Sequence, residues 1–301
     1  LALLVPAVAN VPARNTFPTQ TVSVDIEVLA TGLEFPWGIE ILPDGTILVT
    51  ERTGALRTLK NGKLSEPIAG LPEIAVRGQG GLLDVALAND FASSRTIFLS
   101  YSARGAGGLG TAIARARLSA DKTALEAVKE IFRMNRFSEN ELQFGSRIAV
   151  AADGTLFFTI GSETGVLYSV EHGARGGHEV NLPEPGRNYG WPVISYGRHY
   201  SGAEIGVGVA ADGYEQPLYY WDPSIAPGGM VVYRGQMFPE WNGDLLVAAL
   251  KFQMLVRLDL DDETGEVLAE ERLFKGDYGR IRDVRVAPDG AVLMVTDADN
   301  G

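Results

Sequence analysis

The sequence predicts an all-β protein of the propeller type, on three observations. Apolar runs of four to eight residues, rich in Ile, Leu, Val and Phe, recur along the chain. Each is bounded by an Asp-Gly or Asn-Gly turn, the sign of hairpin-connected strands. The unit of turn, strand, turn and strand repeats at a spacing compatible with blades of about 40–50 residues. Convincing helical periodicity is nearly absent. The turns stand at "LPDGTILVT" from Leu42, "AADGTLFFTIG" from Ala151, "WNGDLLVAAL" from Trp241 and "APDGAVLMVTD" from Ala287. A β-sandwich would show similar turns but rarely needs 301 residues, so a single propeller of five or six blades is favoured.

Composition narrows the function. A formal net charge of −12 argues against a nucleic-acid or anionic-membrane partner, since both require Lys/Arg-rich surfaces. No apolar run reaches the roughly 20 residues of a membrane-spanning helix. The chain has no cysteine, so a bound metal would take oxygen or imidazole ligands. "LALLVPAVAN" reads as the end of a signal peptide with a small-residue cleavage pattern; the alternative is a short apolar N-terminal strand. The expected division is therefore an N-terminal extension over 1–20 and one propeller domain over 21–301.

Ligands of propellers sit on the loops that follow inner strands, which gives five clusters weight. "VRGQGGLLDVAL" (76–87) sets Gln79 among three glycines before a strand; a tight turn is the plain alternative. "ELQFGSRIAV" (141–150) places Gln143 and Arg147 ahead of another strand. In "EHGARGGHEVN" (171–181) the glycines free carbonyls to face a hard cation such as Ca²⁺, whereas a solvated loop needs no ligand at all. His172 and His178 make only a weak two-His zinc pattern. Lys251 interrupts the apolar run "ALKFQMLVRLDL", and its amine must reach solvent or an anion because an unpaired buried charge is costly. In "YGRIRDVRV" period-two spacing puts Arg280 and Arg282 on one face, either as a carboxylate fork or as a solvated basic edge. Ser-hydrolase elbows and P-loops are missing.

Taken in order, "GLEFPWGIEILPDG", "GQGGLLDVALANDF", "FGSRIAV", "EHGARGGHEVNLPEPGRNYGWP", "SIAPGGMVVYRG" and "RIRDVRVAPDGAVLMVTD" resemble the soluble PQQ-dependent aldose sugar dehydrogenases, the glucose/sorbosone dehydrogenase family. The resemblance covers most of the chain. It implies a six-bladed propeller, periplasmic or secreted, that oxidises the C1 hydroxyl of aldoses to lactones with PQQ and Ca²⁺ and passes electrons to an external acceptor, as a monomer or homodimer.

By the same resemblance Gln79 contacts the quinone, and Lys251, Arg280 and Arg282 hold the trianionic cofactor. The carbonyls of Gly173 and Ala174 bind calcium, and Trp221 stands beside the cofactor. Two departures matter. The family's general-base His is replaced by Gln143, and a carboxamide does not titrate near neutrality. The strands around "TIGSETGVLYSV" are joined by four residues, 162–165, where the family carries a long insertion. That junction is either a hairpin loop or a blade left incomplete between Glu163 and Thr164. A non-catalytic binding module on the same scaffold is the competing function. A propeller lactonase is a third, disfavoured because its calcium needs side-chain carboxylates.

Overall fold

The computed structural model describes residues 2–4, 16–134, 137, 139, 141, 144, 147–151, 154–157, 160–161 and 167–299. Glu163 and Thr164, and so the junction between them, lie outside the described residues. Among these, helix is confined to Phe91–Ser94 and one 3-10 turn, Pro239–Trp241. The chain divides into two compact units. One comprises residues 1–10, 26–158 and 292–301, and the other 11–25 and 159–291.

The first unit holds two complete antiparallel sheets. Pro36–Ile41, Ile47–Glu51, Ala55–Lys60 and Lys63–Leu64 form one. Leu82–Leu87, Thr96–Gly105, Gly108–Leu118 and Leu125–Arg133 form the other. The apolar N-terminal residues Ala2–Leu4 are a strand, inserted in parallel between Glu27–Ala30 and Val292–Thr296. Ala149–Val150 and Leu156–Phe157 make a short two-stranded pairing.

The second unit holds two more such sheets. Ile160–Gly161, Leu167–Glu171, His178–Asn181 and Tyr219–Trp221 pair in that order. Pro227–Val232, Leu245–Ala249, Met254–Leu260 and Val267–Leu273 follow. The strand Ile281–Val286 and the hairpin of Thr16–Pro18 with Ser23–Asp25 complete it. Complete four-stranded antiparallel sheets thus number four among the described residues, against six blades expected. The shortfall falls partly at the two-stranded pairing just before the 162–165 junction.

The turn chemistry works as the sequence indicates. At Pro43-Asp44-Gly45 the Gly45 N–H donates to the Leu42 carbonyl at 2.8 Å and Asp44 Oδ1 accepts from Thr46 N–H at 3.0 Å. Pro288-Asp289-Gly290 repeats both bonds, to Ala287 and from Ala291. Gly45 and Gly290 have φ of 75° and 87°, a region costly for residues with a Cβ. Continuous apolar runs become strands buried on both faces, as at Leu245–Ala249, and such a run is the pattern of a core strand. In the second unit Val180, Met230, Val247, Met254 and Val256 share one core, each side chain contributing about 1.5–3 kcal/mol of burial.

Adjoining sheets approach through glycine. A Cβ on Gly229 would collide with Asp283 Oδ1, and one on Gly228 with the Arg282 carbonyl. We expect Gly229→Ala to cost about 1–3 kcal/mol, the usual penalty of overpacking, read as a lowered denaturation midpoint with unchanged slope.

Candidate functional site

The residues that the sequence groups around 171–181 are held by the second unit's first complete sheet. Leu167–Glu171 ends, the chain turns through 172–177, and His178–Asn181 returns antiparallel to it. The turn is tight because it lacks side chains at the right places. A Cβ on Gly173 would meet the carbonyls of Gly176 and Gly177, and one on Gly177 would meet Gly197. Arg175, between them, is anchored by its backbone. Its N–H donates to the Arg198 carbonyl at 2.8 Å, and the Arg198 N–H donates back at 3.1 Å.

A cavity of about 580 Å³ opens beside this turn, lined among others by Ala174, Arg175, Arg198, Tyr200, Asp222 and Lys251. Two of the residues singled out in the sequence, Ala174 and Lys251, therefore share one hollow. Lys251 does not interrupt a strand. Leu245–Ala249 ends before it, and Lys251 N–H donates to the Ile225 carbonyl at 3.0 Å within the turn toward Met254–Leu260. The residue is exposed, and its ammonium lies 5.2 Å from the Phe252 ring centroid.

Arg280 and Arg282 do not line this cavity. Arg280 precedes its strand and is exposed, whereas Arg282 is half-buried beneath Gly228. Electrostatics nevertheless ties Arg282 to the same loop. The imidazole of His172 is lowered by desolvation first, opposed by its bond to Pro227, and lowered again by the Arg282 charge. His172 Nε2 donates to the Pro227 carbonyl at 2.6 Å, which fixes its tautomer.

Trp221 does not line this cavity. Its indole is buried in the core, its Nε1 donates to Glu270 Oε2 at 3.0 Å, and Tyr219 packs edge-on against it. Strand alternation turns Trp221 inward, and the following Asp222 faces the cavity instead. Gln79 lies in the first unit, where its backbone N–H donates to the Glu141 carbonyl at 2.8 Å. Gln143 lies outside the described residues. Arg175, Arg198, Tyr200 and Asp222 were not anticipated. Only the presence of Arg175 inside the glycine loop could have singled one out.

Behind the turn, His178 is 2 % exposed and its ring centroid lies 4.9 Å from that of His172. Among the described residues neither ring nitrogen of His178 has a hydrogen-bond partner. Burial, then His172 and Lys251, push its pKa down to about 4, so it is neutral at pH 7. Its neighbour Glu179 moves the other way, raised to about 7, chiefly by burial and also by Glu171 directly across the ladder.

The two neighbours have opposite linkage. His178, depressed in the fold, contributes stability present above its unfolded value and lost as pH falls from about 6.5 toward 4. Glu179, raised, contributes stability present below its unfolded value and lost as pH rises from about 4.5 toward 7. The wild type should therefore be nearly flat across pH 4.5–6.5. Glu179→Gln should unmask a rise with pH and His178→Phe a fall, each up to about 3 kcal/mol, by chemical denaturation at stepped pH.

The protein family described as Glucose / Sorbosone dehydrogenase matches residues 33–164 and 162–301. The two stretches meet where the sequence shows its four-residue junction. The aldose sugar dehydrogenase YliI of Escherichia coli (strain K12) is 35% identical over 93% of this chain and 91% of its own length. That alignment spans 342 positions, against the roughly 280 residues that 93% of 301 amounts to, so the relative has about 60 positions with no counterpart here. A crystal structure of a glucose dehydrogenase is 37% identical, with a TM-score of 0.86 over 91% of this chain and 96% of the other. The apo-form crystal structure of the soluble aldose sugar dehydrogenase from Escherichia coli gives 35%, 0.84, 91% and 96%. A PQQ-bound aldose sugar dehydrogenase from Streptomyces coelicolor shares the fold at 22% identity and a TM-score of 0.71, covering 95% and 93%. This chain, all-β and of the β-propeller class, belongs to the glucose/sorbosone dehydrogenase family.

Proposed function

We propose that the protein oxidises the C1 hydroxyl of an aldose to the lactone with PQQ and Ca²⁺, and that it works outside the cytoplasm, periplasmic or secreted. The observation that carries the reading is that Ala174 of the turn 172–177 and Lys251, far apart in the chain, line one cavity in a chain of formal net charge −12. Such a hollow suits a flat trianion. Lys251 would supply a counter-charge within it, whereas Arg280, Arg282 and Gln79, which do not line it, are cofactor contacts by the family resemblance alone.

Calcium would be held in part by main-chain oxygens. No group of three His, Asp or Glu side chains converges among the described residues. Ligands for a hard cation here would be the carbonyls of Gly173 and Ala174, a type that calcium accepts. When bound, PQQ with Ca²⁺ supplies a quinone that takes up the two electrons and the hydrogen leaving the sugar carbon, for delivery to an external acceptor.

The residues of the chain have other tasks. Lys251 draws the cofactor in, Tyr200 offers an aromatic wall to the sugar, and the half-buried Arg282 holds charge close to the His172 loop. What Gln143 cannot do is accept the hydroxyl proton. Loss of a general base costs about 10²–10⁴-fold in rate, so turnover is slow. This substitution also favours a second reading, a non-catalytic module that retains cofactor binding.

Calorimetry should give PQQ affinity of about micromolar or tighter, present with Ca²⁺ and lost with chelator, and Lys251→Ala should weaken it at least tenfold. Absence of binding heat would reject the reading. Dye reduction with several aldoses should be slow for the wild type and rise about 10²-fold or more in Gln143→His. A dead wild type rescued by that change would favour the binding module.

A further inference from the structure

Arg175 and Arg198 stand directly opposite one another, fixed by the reciprocal bonds between their backbones. A pair that exchanges both bonds carries its two side chains on one face, with Cα atoms about 5.5 Å apart. Both side chains line the cavity. Like charges in that arrangement repel, and among the described residues neither arginine has a carboxylate within ion-pair distance. Glu204 lies across from Arg198 on the other side without closing a pair. The cavity wall carries three cations, Arg175, Arg198 and Lys251, against the single carboxylate of Asp222. Tyr200, 76% exposed, belongs to the same wall.

We propose that Arg175 and Arg198 bind the anionic group of the substrate, which is an acidic aldose bearing a carboxylate or a phosphate. The sugar in this inference rests on the function proposed above, and the charge rests on the arginine pair. Arg280 and Arg282, assigned to PQQ by the family resemblance, do not line this cavity, so they are separate from the arginine pair. Two guanidiniums side by side present parallel N–H groups that suit a carboxylate or phosphate bidentately. Tyr200 supplies the apolar face against which the ring lies, and the polar groups set its orientation.

The test is calorimetric titration of glucuronate, glucose 6-phosphate, glucose and inorganic phosphate into the full chain, with and without PQQ and Ca²⁺. At least one acidic sugar should bind tenfold or more tighter than glucose, and added salt should erode that margin. Which of the two wins separates a carboxylate site from a phosphate site. Arg175→Gln and Arg198→Gln should each lose most of the preference while PQQ affinity stays unchanged. Arg198→Lys, which keeps the charge, should retain part of it. The bridge is made by backbone atoms, so both variants should keep wild-type circular dichroism.

Glucose binding as tightly as the acidic sugars would overturn the proposal. So would a fall in PQQ affinity in the arginine variants, which would assign the pair to the cofactor, or inorganic phosphate binding as tightly as glucose 6-phosphate. Failure of PQQ to bind while the acidic preference persists would sink the cofactor reading and support this one.

Discussion

The close approach of a glycine to a buried aspartate governs how the inner strands of adjoining sheets meet. In the first unit a Cβ on Gly38 would lie 2.7 Å from Asp84 Oδ1, and in the second Gly229 stands in the same relation to Asp283. Both carboxylates are fully buried, a state that requires partners. Asp84 accepts from Arg147 at 3.0 Å and from Ile148 N–H at 2.8 Å; Asp283 accepts from Val284 N–H and Arg285, both at 2.9 Å. In the second unit the contact sets the site. Gly228 places the Arg282 backbone, and the adjacent Pro227 carbonyl accepts the hydrogen bond from His172 Nε2. One strand-to-strand contact thus positions both a cation and the start of the cavity loop.

Cations in this unit fall into two kinds with different physical fates. Arg257 is 1% exposed and fully engaged, bonded to Asp244 at 2.6 Å and Glu271 at 2.9 Å. It stabilises the core only because those carboxylates offset its desolvation. Arg175, Arg198 and Lys251 stay at the surface, where hydration tolerates a charge without a protein partner. An unpaired cation at the rim of a cavity is thus available to a ligand, whereas Arg257 is not.

The fold was largely legible, because turns follow from local chemistry. Pro-Asp-Gly at 43–45 and 288–290 forms its bonds within a few residues, so the sequence carries all the information needed. The site was legible only where residues lie close along the chain, as around 171–181. Arg198 is brought to Arg175 by a two-residue ladder that no local pattern announces. The burial of Trp221 was not legible because alternation alone does not say which face of "YYWD" is inside, and the bond to Glu270 decides it. Lys251 looked like a charge within a strand because the turn at 250–253 contains neither Gly nor Pro. It turns instead through Phe252 and Gln253 at positive φ.

Why a strand should end in "EHGARGG" can be answered from the same geometry. Side chains at 173, 176 and 177 would strike the loop's own carbonyls, Asp222 and Gly197, respectively, so only glycine allows the turn to close this tightly. Two of its non-glycine residues, Ala174 and Arg175, line the cavity. The glycines of the loop are therefore what lets Arg175 reach the cavity. The bond to the Arg198 backbone then keeps it there.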